Sequence, residues 1–589
     1  MIFGRHINKY YLKYLHFFLL GLIALLVVDY FQLLIPEYSG DIIDLLEQGK
    51  MTREIIVEYV IKIGLIAIII VIGRFTWRYS IFGTSRKIEH DIRNQMFQHA
   101  LKLDQTFYND NKVGGLMAYF TNDLEMIRQA FGHGFLIVVD ASFLGVLAFY
   151  KMTQLDLRLS LISIIPLFLI ASYGFIIGRI IRPKFRRMQE VYERMSDFTN
   201  ENFSGISVIK AFVKQEIEFR EFCKINEEYK QKNIDFVKVS TLMHIIIGAT
   251  ITLMIIFIIS YGSYLVINTR GLEEDLRFTI GHLSQFISYF TSLIWPMMAI
   301  GQFITMRSQA MASLTRINNY LNEEIRVNDN KADYSIDKIE GKIEFKNLSF
   351  TYPKDKHPVL KDINFTINKG EMVGIIGRTG CGKTTLVDLI MRIYNVDEDS
   401  LFLDDHDIMK LPLSVVRTNI AIVPQDTYLF SKTVKENIGF ALDRVPSLDE
   451  VIKYAKQADI HENVMEFEDK YDTLLGERGV TVSGGQKQRI SIARALIKES
   501  NILILDNSVS AVDTKTEEII LNQLRETRKG RTTIIIAHRV STIKDLDKIA
   551  VMDDGRIIDV GSHNELLNRC ELYQDIVTRQ KLEEEIGEV

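Results

Sequence analysis

Six stretches of the chain carry about the 20 mainly apolar residues that a helix needs to cross a bilayer, at approximately 15–36, 57–80, 133–153, 158–181, 242–268 and 278–305. Runs such as LIAIIIVIG and ITLMIIFIIS lie inside them, so a soluble protein with this many buried helices is a poor alternative. The pattern predicts an α-helical six-span transmembrane domain over 1–321. Spans two and three, and spans four and five, are separated by segments of roughly fifty to sixty residues with helical patterning and no glycine or proline clusters. These are expected to be long helical extensions into the cytoplasm. The polar stretch NEEIRVNDNKADYSIDKIEG (322–341) has no apolar periodicity and reads as a linker. Beyond it the period changes to that of short strands: IEFKNLSFTY alternates, and EMVGIIG (371–377) and NILILD (501–506) are buried-strand runs. Residues 342–589 are thus predicted to form a separate α/β domain.

Charge placement orients the spans. Arg5, Lys9 and Lys13 precede the first, and Arg86, Lys87, Arg93, Lys102, Lys112 and Arg128 lie between the second and third. Arg182, Lys184, Arg186, Arg187, Arg194, Lys210, Lys214, Arg220 and Lys224 lie between the fourth and fifth. By the positive-inside rule these segments and the C-terminal domain are cytoplasmic, as expected of a multi-pass protein of a bacterial-type cytoplasmic membrane. The connections near 37–56, 154–157 and 269–277 are short or acidic and are placed outside. The first apolar run is longer than a signal-peptide core and lacks a small-residue cleavage site, so an uncleaved anchor is expected.

Composition removes other classes. A net charge of −5 and a pI near 6.2 give no hint of nucleic-acid binding, which usually needs a clustered basic face, so nucleic acid is not expected as a partner. Cys223, Cys381 and Cys570 are far apart and show neither disulfide-framework nor zinc-site spacing.

The strand run at 371–377 leads directly into Gly377-Arg378-Thr379-Gly380-Cys381-Gly382-Lys383-Thr384-Thr385. This is a P-loop, G-x-x-x-x-G-K-[ST], placed between a strand and a helix as its chemistry requires. Glycines let backbone N–H groups turn toward phosphate oxygens, and the following helix presents its positive end. Lys383 brings a charge to the β- and γ-phosphates of ATP, and the Thr384 hydroxyl can ligate Mg²⁺. Asp506, at the end of NILILD, is a second candidate Mg²⁺ group.

Between these two lies VSGGQKQR, Val482 to Arg489. It resembles the signature of ATP-binding cassette (ABC) proteins. In that family the helix it opens faces a γ-phosphate held by the opposite subunit, so that two cassettes sandwich two ATP molecules. The resemblance implies nucleotide contacts for Ser483, Gly484, Gly485 and Gln486; Val482 replaces the usual leucine. Further marks follow in the family's order. Tyr352 resembles the adenine-stacking aromatic residue, and Gln425 of VPQDTYLF the Mg²⁺-sensing glutamine. GERG (476–479) resembles the exporter-specific loop, SAVD ending at Asp513 the loop crossing between cassettes, and His538 the γ-phosphate switch. In the membrane half, 107–128 and 201–212 resemble the segments whose short transverse helices dock on the cassettes.

One departure matters. Where the family carries a catalytic glutamate after the strand-end aspartate, this chain has Asn507. An amide can hydrogen-bond water but cannot act as a general base, so ATP on this chain's own P-loop is expected to be hydrolysed very slowly. The chain thereby resembles the degenerate-site subunit of heterodimeric bacterial exporters, completing the competent site of a second half-transporter; a homodimer is the other arrangement. The implied function is ATP-driven export of an amphipathic compound (drug-like, lipid or peptide) by alternating access. The alternative is a regulatory or sensory membrane protein whose cassettes gate without pumping. The first span starts almost at once, which argues against a peptide-processing exporter. Polar residues in the spans, Asp29, Asp140 and Arg74, with His244 and His282 near span ends, are candidates for substrate contact or helix pairing. Phe286, Phe290, Trp295, Met297 and Met298 are candidates for an adaptable cavity wall or for interhelical packing. Cys381 is expected only to be small, and a thiol reagent there should block ATP binding by bulk.

Overall fold

The computed structural model describes residues 5–587 except 112, 272–276, 477, 478, 480 and 509–513, and excludes the side chains of 5–8, 167, 169–178, 514 and 584–587. Two compact units result: residues 1–100 with 113–323, and residues 101–112 with 324–589.

The first unit is helical. Its long elements are α1 (Leu15–Glu47), α2 (Arg53–Ala100), α3 (Val113–Leu155), α4 (Leu157–Ser204), α5 (Gln215–Asn268) and α6 (Ile280–Leu321). Among the described residues, α1, α2, α3, α5 and α6 are long and apolar enough to cross a membrane. The fourth predicted span falls within α4, whose described apolar stretch is Leu157–Pro166. The inner segments are helical, as expected: α2 and α4 have 48 residues each and α5 has 54. At 1.5 Å per residue these are about 70–80 Å long, more than twice the hydrocarbon thickness.

Short helices interrupt the inner segments at Gln105–Asp110 and Ile206–Ala211. The first is briefer than the 107–128 reading, because the chain enters α3 at Val113. The predicted outer connection 37–56 is also mostly helix, since α1 continues through Pro36 to Glu47.

Local chemistry explains several ends and bends. Thr279 caps α6: its hydroxyl accepts from the His282 N–H at 3.0 Å, while the Thr279 N–H donates to the His282 ring at 3.4 Å. Asp44 of α1 adds a second cap, accepting from the Gly281 N–H at 2.7 Å and the Thr279 hydroxyl at 2.6 Å. His282 is thus committed to a helix cap. His244 hydrogen-bonds the Ser240 carbonyl of its own helix at 2.8 Å.

Two π-turns in α3, Tyr119–Asp123 and Ala130–Gly134, insert extra residues into the helix. The first is where the buried Asp123 accepts from the Ser313 hydroxyl of α6 at 2.8 Å and from Arg316 Nε at 2.8 Å. Phe286 and Phe290 are fully buried among Leu33, Leu144 and Ile258 and serve as interhelical packing. Met297 lines an apolar cavity of about 530 Å³ between α3 and α6, whereas Trp295 and Met298 are exposed.

The second unit is α/β. A six-stranded sheet has the order β10-β9-β3-β8-β7-β6, with β3 (Met372–Gly377), β6 (Ile420–Val423), β7 (Ile502–Asp506), β8 (Thr532–Ile536), β9 (Lys548–Asp553) and β10 (Arg556–Gly561). All its pairings are parallel except β9 with β10.

Alternate residues of the buried strands feed two cores. Ile376, Leu503, Leu505, Ile535 and Val551 face one, and Val373, Ile375, Ile502, Ile504, Ile534 and Ile536 face the other. This explains their unbroken apolar runs, because a parallel sheet covered on both faces needs no polar side. The second core is closed by an antiparallel sheet, order β2-β1-β4-β5, in which β1 (Ile343–Phe350) pairs with β2 (Leu360–Ile367) and β4 (Leu401–Leu403), and β5 is His406–Asp407.

The 324–341 portion of the polar linker is strapped to this unit. Arg392, 2% exposed, donates to the Asn328 carbonyl at 2.7 Å, and the Leu413 N–H donates to Asp329 at 2.9 Å. The sequence division placed 101–112 with the membrane half, but this segment packs with the C-terminal unit. The Asn109 amide donates to the Tyr394 hydroxyl at 3.4 Å, and Lys354 pairs with Asp110 at 2.5 Å. Asp104 caps the Gln105–Asp110 helix through the Phe107 N–H at 3.0 Å.

Candidate functional site

Strand β3 ends in Gly377 and the chain turns through 378–382 into α7 (Lys383–Ile390). Gly377 packs so closely on β9 that a Cβ there would collide with the Met552 carbonyl. Gly382, at φ +99°, occupies the left-handed region, and a Cβ would also lie 2.7 Å from Leu360 Cδ2. Both positions therefore require glycine, and the loop keeps a shape that a larger side chain would break.

Lys383 is buried, and its ammonium donates to the Gly377 and Arg378 carbonyls at 2.9 Å each, beside Cys381 Sγ at 3.7 Å. Thr384 Oγ1 donates to Asp506 Oδ2 at 2.8 Å. Tyr352 joins the same side of the sheet through a 2.9 Å hydrogen bond between its hydroxyl and that of Thr385. Its ring stands nearly perpendicular to Phe350 and to Tyr394, each 5.1 Å away. Arg378 is exposed and lies 3.9 Å from Asp553.

Asp506 decides whether a divalent cation fits. It is 2% exposed, and its Oδ1 has no hydrogen-bond partner among the described residues. Burial raises its carboxyl above the ordinary range, against the lowering effect of Thr384 and Lys383. A half-satisfied buried carboxylate beside a threonine hydroxyl is an oxygen donor set of the kind Mg²⁺ takes. The residues present fit that ion.

Asn507 follows at φ +48°, a backbone region that asparagine tolerates better than most side chains. It is buried, its N–H donates to the Ile536 carbonyl at 3.0 Å, and its carbonyl accepts from Gln488 at 3.5 Å. His538 is exposed just after β8; partial burial and the nearby Lys383 charge lower its pKa, while Asp506 raises it. Gln425 is exposed just after β6.

The other predicted group lies elsewhere in the unit. Ser483 caps α8 (Gly484–Ile497) with a reciprocal pair, its hydroxyl accepting from the Gln486 N–H at 3.3 Å while its own N–H donates to Gln486 Oε1 at 3.0 Å. A Cβ at Gly484 would meet nothing within 4 Å. Among the described residues, no hydrogen bond joins Ser483, Gly484, Gly485 or Gln486 to the P-loop. This helix instead packs on the helices Val434–Gly439 and Leu448–Gln457. Parts of GERG (Glu477 and Arg478) and the stretch ending at Asp513 fall outside the described residues.

Sequence reasoning missed two residues. Asp388 lies one turn after Thr384 on α7, a spacing that puts both on one helix face. Burial first, and the Asp506 charge second, raise its carboxyl to about 6. Its protonated form is favoured in the folded state, so this contribution is present below about 3.8 and lost as pH rises through about 6. Asp388→Asn should therefore raise the melting temperature of the nucleotide-free protein by about 2–4 °C at pH 7.5 and leave it nearly unchanged at pH 4, as read by thermal scanning at both values. Tyr394, the second residue missed, links the Gln105–Asp110 helix to Tyr352.

Cys381 carries a second expected result. It is 5% exposed, and burial raises its thiol above the ordinary value. N-ethylmaleimide should modify it at least about tenfold more slowly than the exposed Cys223, and saturating ATP should slow it further. Mass spectrometry of the two peptides measures both rates.

The sequence matches the family described as ABC transporter transmembrane region over residues 18–297 and that described as ABC transporter over 360–510. It is 35% identical over 581 residues to the probable multidrug resistance ABC transporter ATP-binding/permease protein YheI of Bacillus subtilis, covering 98% of this chain and 97% of that one. It is 34% identical over 566 residues to the multidrug resistance-like ATP-binding protein MdlA of Escherichia coli, covering 96% and 94%. The structure of a bacterial Atm1-family ABC exporter with ATP bound superposes with a TM-score of 0.75 at 24% identity, covering 98% of each chain, which shows the shared fold. A membrane unit and a P-loop unit on one polypeptide, alike along nearly their whole length to such proteins, mean that this chain belongs to the ATP-binding cassette transporter family, as a multi-pass membrane exporter whose ATP hydrolysis is coupled to transport.

Proposed function

We propose that the chain is one half of a dimeric exporter that moves an amphipathic compound, drug-like, lipid or peptide, out across the membrane, with hydrolysis at its own P-loop impaired by Asn507. Relatives alike over nearly the whole chain are named for multidrug resistance, which supports the drug-like member of that class. The observation that carries the asymmetry is Asn507 next to an otherwise complete Lys383–Thr384–Asp506 arrangement.

In this reading Lys383 and the loop N–H groups bind the β- and γ-phosphates, and Tyr352 offers a ring to adenine. Thr384, Asp506 and Gln425 hold Mg²⁺, which when bound neutralises phosphate charge. His538 reaches the γ-phosphate. Ser483, Gly484, Gly485 and Gln486 serve the nucleotide on the second half-transporter, which explains why they stand apart from this chain's loop. ATP binding closes the cassette pair, and the equilibrium between inward- and outward-open membrane halves shifts by the difference in ATP affinity between them. Hydrolysis at the competent site resets it. A heterodimer follows from this division of labour, because the intact signature completes a site that Asn507 cannot.

Inverted vesicles containing both halves test this. They should accumulate a labelled amphipathic compound with ATP and not with a non-hydrolysable analogue. Equal accumulation with both nucleotides would sink the pump.

A further inference from the structure

Within the membrane unit, side chains from four of the long helices meet. Asp29 of α1 is 3% exposed, and its Oδ2 has no hydrogen-bond partner among the described residues. Its carboxyl stands close to that of Asp140 of α3 and within range of the Arg74 charge of α2. Asp140 in turn accepts from Trp295 Nε1 of α6 at 2.8 Å. Arg74 is engaged by Gln32, donating to its Oε1 at 3.1 Å. Two carboxyl groups therefore stand against one guanidinium, which is itself shared. Carboxylates in contact repel unless a proton or another cation lies between them, and inside a bilayer no bulk water screens that repulsion.

The surroundings say what kind of cation fits. Val138 and Ala141, which flank Asp140, and Leu293 and Pro296, which flank Trp295, line the apolar cavity of about 530 Å³ between α3 and α6. That volume suits a drug-sized molecule. Trp295, 37% exposed, adds an aromatic face of the kind that attracts a cation. An acidic pair at the edge of an apolar chamber is complementary to one positive charge carried on an apolar body.

We infer that Asp29 and Asp140 form a cation-recognition site at the margin of the α3–α6 cavity, and that the exported compound is an amphipathic organic cation. This rests on the export reading above and narrows it. Asp140 is the contacting carboxylate; Asp29, more deeply buried, stands behind it and holds it in place.

The test uses the assembly with its partner half in lipid nanodiscs and in vesicles, with two probes of similar bulk. Tetraphenylphosphonium is a permanent monocation and triphenylphosphine oxide is neutral. Asp140→Asn should weaken phosphonium binding about tenfold or more, Asp140→Glu should hold it within about threefold, and neither should move the affinity for the neutral probe. Asp29→Asn is read through the ratio of the two affinities, which misfolding would leave unchanged because it lowers both. Equal losses for the two probes in both asparagine variants would reduce the pair to a structural contact and overturn the inference. If vesicles carry triphenylphosphine oxide with ATP but neither bind nor carry the phosphonium, export stands and the cation site falls. If nothing is carried with ATP while phosphonium binding still depends on Asp140, the cation site stands and the export reading falls.

Discussion

Asn507→Glu should raise ATP turnover on this chain's own P-loop by about ten- to a hundredfold. A positioned general base contributes roughly 10²–10⁴-fold to proton transfer, and an amide contributes none of it. The lower part of that range is expected, because the surroundings of residue 507 are shaped around asparagine. Its φ of +48° costs a glutamate about 1–2 kcal/mol more than an asparagine, so the melting temperature should fall by about 2–4 °C per kcal/mol. The neighbouring groups are otherwise ready: Lys383 is buried in the loop, and Thr384 and Asp506 are paired at 2.8 Å. The assay pairs the variant with a second half-transporter whose own P-loop lysine has been replaced, so that release of phosphate reports this chain's loop alone. Turnover no higher than that of the unaltered chain would mean that the amide is not what limits hydrolysis, and the reason for invoking a specialised partner would go with it.

What could be read from the sequence follows the strength of its local signals. The P-loop is bounded on both sides by structure that the pattern already specifies, a buried β-run and a helix, so its geometry was legible down to the Lys383 and Thr384 roles proposed for it. The continuous apolar runs of β3 and β7 announced a sheet covered on both faces. The long inner helices were legible from their helical patterning, which the single Pro183 inside α4 does not end. Three things were hidden, each because it depends on contacts distant in sequence. Residues 101–112 look like part of the membrane half, and only the Asn109–Tyr394 and Asp110–Lys354 contacts assign them to the other unit. The linker looks loose by composition, yet its Asn328 carbonyl accepts from Arg392 and its Asp329 carboxylate from the Leu413 N–H. His282, read as a candidate for substrate contact or helix pairing, turns out to be the third residue of a capping box completed from α1 by Asp44. Asp388 was the avoidable miss, since its helical spacing from Thr384 was there to be counted.

Ser483→Ala and Lys383→Ala should fail in opposite ways, and the contrast tests whether the signature helix serves this chain or its partner. Lys383 opens α7 and folds its ammonium back over the loop, so its removal should abolish photolabelling of the isolated chain by azido-ATP. Ser483 has no bond to that loop among the described residues; its hydroxyl and N–H are engaged with Gln486 at the start of α8. Losing the cap costs the helix about 1 kcal/mol, too little to unfold a domain whose α8 buries Ile490, Ile492 and Leu496. Photolabelling of the isolated Ser483→Ala chain should therefore persist. In the assembly with a competent partner, the same change removes a preorganised donor from the phosphate bound on the other subunit, where one such donor is worth about a hundred- to a thousandfold in rate. Steady-state ATP hydrolysis by the assembly should accordingly fall by at least about tenfold with nucleotide still held on this chain. If hydrolysis is untouched, α8 does not reach a nucleotide across the dimer, and binding energy has no route for drawing the two halves together.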